Sequence, residues 1–350
     1  MIIHRYSIIM KSIWRKSRIF WIFLSMATIA CLYYQHFQPK WRLLQGTCSE
    51  SRLKVSKQLN IFVYSPGFSE NCGGCTVLHY LVDRVNVWFD DQLVTAYIVP
   101  MGYPAKQDIV VNSAYKTPVI PEWIDIQDGF VIYPEIVSGN PLGVESEKII
   151  RWILYFPGVH GGPPASDYST HETIVCYSMG ICQDFTPSHR ISLLKISDYG
   201  LDMLRHLPNG HSRSGTLVHH KKRKWKSGQV QDVPKIDGEL LNNTITKFDR
   251  MLLFSRAEKF ITTDPATFLS VEAAAAGCLS IVKPLENVTR DEWLRTAYSA
   301  ADLKYGIAYG EEEIPHAQKT LPLVVGNLVE QQANQRKHVE QFLSMLVERF

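Results

Sequence analysis

No internal repeat, no long low-complexity tract and no cysteine framework runs through this chain. Its seven cysteines, at positions 31, 48, 72, 75, 176, 182 and 278, are odd in number and spread over 350 residues, so the chain is not a small disulfide-stapled scaffold and holds one or two bridges at most. Charge of neither sign is in excess. Lys and Arg number 37 against 34 Asp and Glu, a formal +3. Arg5, Lys11, Arg15, Lys16 and Arg18 stand in residues 1–18 without an acid, and subtracting these five from +3 leaves −2 for the rest. A body so close to neutral disfavours general nucleic-acid binding. With 45% hydrophobic and 20% charged residues the chain can bury a large core, which excludes a disordered or fibrous protein and implies one or two domains.

Metal-binding patterns are missing as well. No His/Asp cluster or paired Asp motif demands a divalent ion, and neither metal nor cofactor is expected. Cys72 and Cys75 bracket two glycines as CGGC, but no second Cys pair and no His pair at finger spacing supplies the remaining ligands of a zinc site. A thioredoxin-like motif would sit in a much shorter domain, so the expectation is a local disulfide or two free thiols.

One long apolar run is present. Ile19 to Tyr34 carries no charge, Pro or Gly, and an extension to Phe37 meets only Gln35 and His36, the short end of a membrane span. Bulky Tyr33, Tyr34, Phe37 and Trp41 follow in place of a small-residue cleavage site, which suits an uncleaved anchor; the alternative is a buried or interfacial helix packed on the body. The basic cluster before the run outweighs Lys40 and Arg42 after it, so the amino terminus is expected in the cytoplasm. The reading is a single-pass type II protein with tail 1–18, anchor 19–37, stem 38–58 and a lumenal or external body, in the Golgi or endoplasmic reticulum membrane if the source is eukaryotic. Asn242-Asn243-Thr244 and Asn287-Val288-Thr289 fit the glycosylation triplet, a weak signal.

From residue 61 onward short apolar runs recur: 61–65, 93–99, 129–134, 151–157, 173–178, 191–196, 259–263 and 278–282. Each reads as a buried strand. Helix-like segments at 76–90, 141–150 and 265–276 fall between them, and that alternation predicts an α/β fold of parallel sheets covered on both faces. Two sheets fit ordinary domain sizes better than one. The division is placed at the Gly, Pro and Ser of residues 158–169, giving a domain at 59–165, a second at 170–320 and a helix at 321–350. Two doubly wound domains facing each other leave a cleft at the carboxyl ends of their strands, where a ligand is expected.

Several groups are expected at that cleft. Asp264 sits at a strand end, where it or Thr263 can cap a helix whose first amides, Ala266, Thr267 and Phe268, suit a phosphate. Glu272, eight positions on, would project to roughly the same side. Gly73 and Gly74, between a strand and a helix, allow amides to approach a pyrophosphate. Glu135, Ser138, Gly139 and Asn140 follow the strand at 129–134, with Asn140-Pro141 opening a helix. The run HHKKRKWK from His219 to Lys226 reads by composition as an exposed basic loop facing anionic lipid. Tyr305 to Gly310 reads as a tight turn near ligand or an ordinary loop.

The spacing of Asp264 and Glu272 resembles the acidic pair of retaining GT-B glycosyltransferases, with Asp where the pattern usually has Glu. Further segments, 73–81, 131–143, 151–158, 213–222, 267–282 and 304–310 followed by 316–320, resemble in order a group of family 4-like polysaccharide-building, rhamnosyltransferase-type enzymes. The resemblance implies a GT-B fold of two Rossmann-like domains, with the acceptor on the first and a nucleotide-sugar donor on the second. It implies transfer to a glycan or polysaccharide acceptor without a metal, with retention, and a final helix crossing back to the first domain. It places Lys221 and Lys222, with Arg213 as a further candidate, on the donor's phosphates. Asp264 and Lys222 would act at the reacting centre, Glu272 would hold the ribose, and Glu135, Ser138, Gly139 and Asn140 would contact the acceptor. Two alternatives stay open: inverting transfer, with His79, Glu135 or Asp167 as base, and a catalytically silent nucleotide- or sugar-binding membrane protein.

Overall fold

A computed structural model of the chain describes residues 58–349 apart from 107, 209–211, 222, 225–229, 232–234, 243–244 and 297–299. The expected tail, anchor and stem lie outside the described residues, and among those described no helix is long and apolar enough to cross a membrane. Two parallel sheets with intervening helices make one body, an α/β architecture.

The first sheet contains β1 (Leu59–Ser65), β2 (Val94–Pro100), β3 (Gly129–Pro134), β4 (Ile149–Ile153), β5 (Thr173–Cys176) and β6 (Arg190–Leu193), in the order β2-β1-β3-β4-β5-β6. Strand order reverses between β1 and β3, the kind of switch point outside which α/β sheets bind ligands. The expected domain division at 158–169 is corrected here, because β5 and β6 continue this sheet: Ile150 to Ile153 of β4 align with Thr173 to Cys176. The second sheet begins at β7 (Thr216–His219) and includes β10 (Glu239–Leu240), β11 (Lys259–Thr262), β12 (Leu279–Val282) and β13 (Ile307–Tyr309), ordered β10-β7-β11-β12-β13. A two-residue pair, β8 (Arg223–Lys224) with β9 (Val230–Gln231), lies outside it. Here the order reverses between β7 and β11.

Helix α1 (Gly73–Trp88) forms because Cys72 caps it, its Sγ accepting from the Cys75 N–H at 3.2 Å, and because Leu78, Leu81, Val82 and Val85 form one apolar face. That face covers the first sheet together with α8 (Val324–Val347), whose Val339, Phe342, Leu343 and Leu346 belong to the same core. The second sheet is served by the short α2 (Leu201–Leu204), then α3 (Lys247–Arg256), α4 (Leu269–Ala275), α5 (Arg290–Thr296), α6 (Ala300–Leu303) and α7 (Ile314–Thr320). The last helix returns to the first lobe: Arg349 reaches the Thr173 hydroxyl and the Glu147 carbonyl, and Gln335 donates to Ser197 O at 2.8 Å.

Two expected helices are altered. Residues 141–150 form no α-helix: the Asn140 carboxamide accepts from Val144 N at 3.3 Å and donates to Val144 O at 2.7 Å, closing a compact loop, and only a single 3-10 turn at Ser146–Lys148 precedes β4. The expected helix at 265–276 begins only at Leu269, since Asp264 Oδ1 accepts the Ala266 N–H at 3.1 Å and holds residues 264–268 in turns. Cys72–Cys75 and Cys176–Cys182 are disulfides, and Cys278 is a buried free thiol.

Candidate functional site

The carboxyl ends of β7 and β11 are tied by one hydroxyl. Thr263 Oγ1 accepts from Lys221 N and donates to Lys221 O, both at 3.0 Å. This fixes the segment after β7 beside Asp264, which is 8% exposed. Lys221 Nζ lies 3.0 Å from Asp264 Oδ2, with 57% of the lysine side chain in solvent. The ammonium end of the pair is solvated, so an arriving anion can recruit it. His219, buried at the end of β7, sets its Nδ1 3.1 Å from Thr262 Oγ1. Burial holds its pKa below the ordinary value, while the Asp264 charge acts in the opposite sense.

Tyr155 lies just past the end of β4 in the first sheet. Burial raises its hydroxyl pKa, and the charge of Asp264 raises it further. Tyr155 also packs on His160, ring centroids 4.7 Å apart. Its backbone leaves the β4 ladder because Glu135 takes over: Glu135 Oε2 accepts from Leu154 N at 3.1 Å, and the Tyr155 N–H also binds this carboxylate. That exchange ends β4 at Ile153, short of the expected Pro157. Glu135 is 6% exposed, and burial pushes its pKa up to about 7 against the opposing pull of those amides. Its carbonyl accepts the Tyr168 hydroxyl at 3.1 Å, and a Cβ added at Gly162 would fall 1.9 Å from the same oxygen. Glu135 is therefore an internal support for the Leu154-Tyr155 backbone and not an exposed acceptor contact.

Ser138, Gly139 and Asn140 lie on the exposed β3–β4 loop. The loop is anchored by Arg151, which donates to Val137 O at 3.1 Å and to Gly139 O, and which pairs with the buried Glu172 at 2.9 Å. Asn140 is engaged in its own loop and accepts from Tyr133 Oη at 3.0 Å. Gly73 has nothing within 4 Å of an added Cβ, and Gly74 would meet only Leu154, at 3.7 Å. Nothing inside the folded chain requires glycine at 73, and its surface is open to an approaching group.

Two expected donor contacts, Arg213 and Glu272, are placed differently. Lys222 lies outside the described residues. Arg213 stands at the amino end of β7, across the sheet from Asp264, and its guanidinium donates to the carbonyls of Phe254, Ala257 and Ala276 at 3.0, 3.4 and 2.8 Å. It finishes α3 and α4 and is not a phosphate ligand there. Glu272 is 4% exposed, and both of its oxygens are taken by Arg250, Nε to Oε2 at 2.7 Å and Nη2 to Oε1 at 3.1 Å. The same-side reading of Asp264 and Glu272 assumed one continuous helix, which the turns at 264–268 remove. Of the expected phosphate-binding amides, Ala266 N is occupied by Asp264, Thr267 Oγ1 caps Leu269 N at 3.3 Å, and Phe268 stacks on Tyr199.

Arg250 was not visible as a site residue in the sequence, nor was Tyr155, although it sits in a quoted segment. Arg250 reaches across to the β1–α1 loop, Nη1 to Asn71 Oδ1 at 2.9 Å and Nη2 to Glu70 O at 3.3 Å. Beside it the Lys247 N–H meets the Glu70 carboxylate and Lys247 Nζ donates to Asp198 O at 2.6 Å. His79, a candidate base for inverting transfer, is buried, with its Nε2 3.0 Å from Pro66 O. Among the described residues no group of three or more His, Cys, Asp or Glu is arranged to hold a metal ion.

No family model matches the chain, and no curated protein matches it. Among solved structures it is similar to the crystal structure of a glycosyltransferase from Rickettsia africae ESF-5, with a TM-score of 0.42 and 11% identity over 83% of this chain and 98% of that one. A superposition of that quality carries no argument about the site.

Proposed function

We propose that this protein is a glycosyltransferase of GT-B type, moving a sugar from a nucleotide-sugar donor to a glycan acceptor. The observation that carries the reading is the Lys221–Asp264 pair at the carboxyl ends of β7 and β11, where the strand order of the second sheet reverses. In this reading the donor diphosphate draws Lys221 away from Asp264, with Lys222 as its neighbour. As the sugar–phosphate bond breaks, negative charge grows on the leaving diphosphate, and fixed ammonium groups stabilise it more in the transition state than in the ground state. No metal is assigned to that task. Asp264, relieved of its partner, is free to accept from a sugar hydroxyl. The open backbone at Gly73 supports close approach of a substrate group from the first lobe.

Retention of the anomeric configuration belongs to the same proposal and rests on the family resemblance; product anomer analysis by NMR separates it from inversion. Anchoring through residues 19–37, as a type II protein of the Golgi or endoplasmic reticulum in a eukaryotic source, rests on the amino-terminal sequence alone.

The test is a thermal-shift screen of the full-length protein against nucleotide sugars, since a ligand that binds only the folded state raises its apparent stability. The reading expects one donor class to raise the midpoint in the wild type and to lose that effect in Lys221→Ala. A flat response across the panel contradicts it.

A further inference from the structure

The β1–α1 loop is gripped by the second lobe at two consecutive residues, and the gripping group is itself seated on a buried acid. Arg250 is 2% exposed, its Nε and Nη2 lie on Glu272, and two further N–H groups, on Nη1 and Nη2, go to Asn71 Oδ1 and Glu70 O. We propose that Arg250 is a positioning residue, holding the first lobe's Gly73-Gly74 turn in register with the Lys221–Asp264 pair of the second lobe. The proposal rests on the donor-site reading above and adds to it the element that fixes one half of the site relative to the other.

The path from Arg250 to the turn is short and stiff. Cys72 N donates to Ser69 O at 3.1 Å, Thr76 Oγ1 donates to the same carbonyl at 3.1 Å, and the Cys72–Cys75 bridge closes the first turn of α1 around the glycines. A displacement at 70–71 is thus carried directly to Gly73. Gly74 in turn abuts Leu154. Asn71 is exposed, so its bond to Arg250 acts by direction and not by burial. Lysine cannot replace arginine in this role. A single ammonium keeps the charge on Glu272 but cannot reproduce the planar fork that meets Glu272, Asn71 and Glu70 together.

Arg250→Lys, which keeps the charge balance, and Asn71→Ala, at an exposed position, are the test variants in the full-length protein. Affinity for uridine and guanosine diphosphate, measured by calorimetry, is expected to fall much less than the transfer rate, because Lys221 still meets the phosphates from the second lobe while only the Gly73-Gly74 side of the site is displaced. Transfer rate is expected to fall about 10- to 100-fold, the scale of a small misplacement of reacting groups. A fluorophore pair introduced by non-natural amino acids at Glu145 and Glu258, exposed positions on the two lobes, is expected to show a broader distance distribution in both variants. Equal losses in affinity and rate, or wild-type rates in both variants, overturn the proposal. If the wild type neither binds nor turns over any donor, the donor-site reading fails, and Arg250 is judged on the distance distribution alone. Unchanged distances then overturn its positioning role.

Discussion

Arg250 and Glu272 meet as a two-point ion pair between α3 and α4, with 2% and 5% of their side chains exposed. The geometry decides what Glu272 does. A buried carboxylate held at two points is not available to a ribose without leaving a guanidinium uncompensated, and breaking one side of such a pair costs about 3–5 kcal/mol.

Glu272→Gln is accordingly expected to lower unfolding free energy by about that 3–5 kcal/mol, whereas replacing both partners with apolar residues of similar volume recovers most of the loss. Urea denaturation of the two single variants and the double variant measures the coupling. A Glu272→Gln protein as stable as the wild type would contradict the assignment.

Arg213 and Lys221 are both cations near β7, and their variants are expected to separate cleanly. Arg213→Ala removes the donor to three helix-end carbonyls and should cost about 1.5–3 kcal/mol of stability. It should leave nucleoside diphosphate affinity unchanged. Lys221→Ala, at a largely exposed side chain, should leave stability within about 1 kcal/mol of wild type and weaken that affinity. Denaturation curves paired with calorimetry check both. Gly277 belongs to the first effect: its φ is +81°, and a Cβ there would fall 2.6 Å from Arg213 Nη2.

Glu135 makes stability depend on pH in a defined direction. Its pKa stands at about 7 in the folded protein against 4.5 unfolded, so the folded state holds the proton more tightly. The stabilising contribution is fully present below about pH 4.5 and is lost as pH rises through about 7. Its size is on the order of 3 kcal/mol. Chemical denaturation at pH 5, 6, 7 and 8 should show that decline in the wild type and a flatter profile in Glu135→Gln. An equally steep profile in the variant would rule out Glu135 as the source.

Both disulfides close short loops, with sequence separations of 3 and 6. Chain-entropy reasoning gives each a stabilisation of about 2 kcal/mol. Non-reducing peptide mapping should link Cys72 to Cys75 and Cys176 to Cys182, and Cys278 should react with a thiol reagent only after unfolding. A different pairing would refute the arrangement of α1 and of the β5 end.

Much of the scaffold was legible because it is local. The apolar run at 129–134 is β3 to the residue, and the helix around residue 80 needed only its apolar face. The strands at 216–219 and 307–309 were obscured for different reasons. The first runs into His219, His220 and two lysines, and the second has three residues between Gly306 and Gly310, both in the left-handed region. Side-chain to backbone bonds hid the rest: Asn140 replaced an expected helix with a loop, and Asp264 delayed α4. The domain boundary was misplaced because a Gly/Pro-rich segment also serves to press against Glu135 inside one sheet. Arg250 was out of reach, since its partner Asn71 stands 179 residues away and no periodicity records that contact.

The measurement that tests the central claim most directly is release of nucleoside diphosphate from a panel of nucleotide sugars by the full-length protein, with a glycan acceptor mixture present. The account predicts acceptor-dependent release from one donor class, reduced at least about 100-fold in Asp264→Asn and Lys221→Ala on the scale of lost transition-state stabilisation. Tight nucleotide binding with no release from any donor would contradict it and leave a binding protein in place of a transferase.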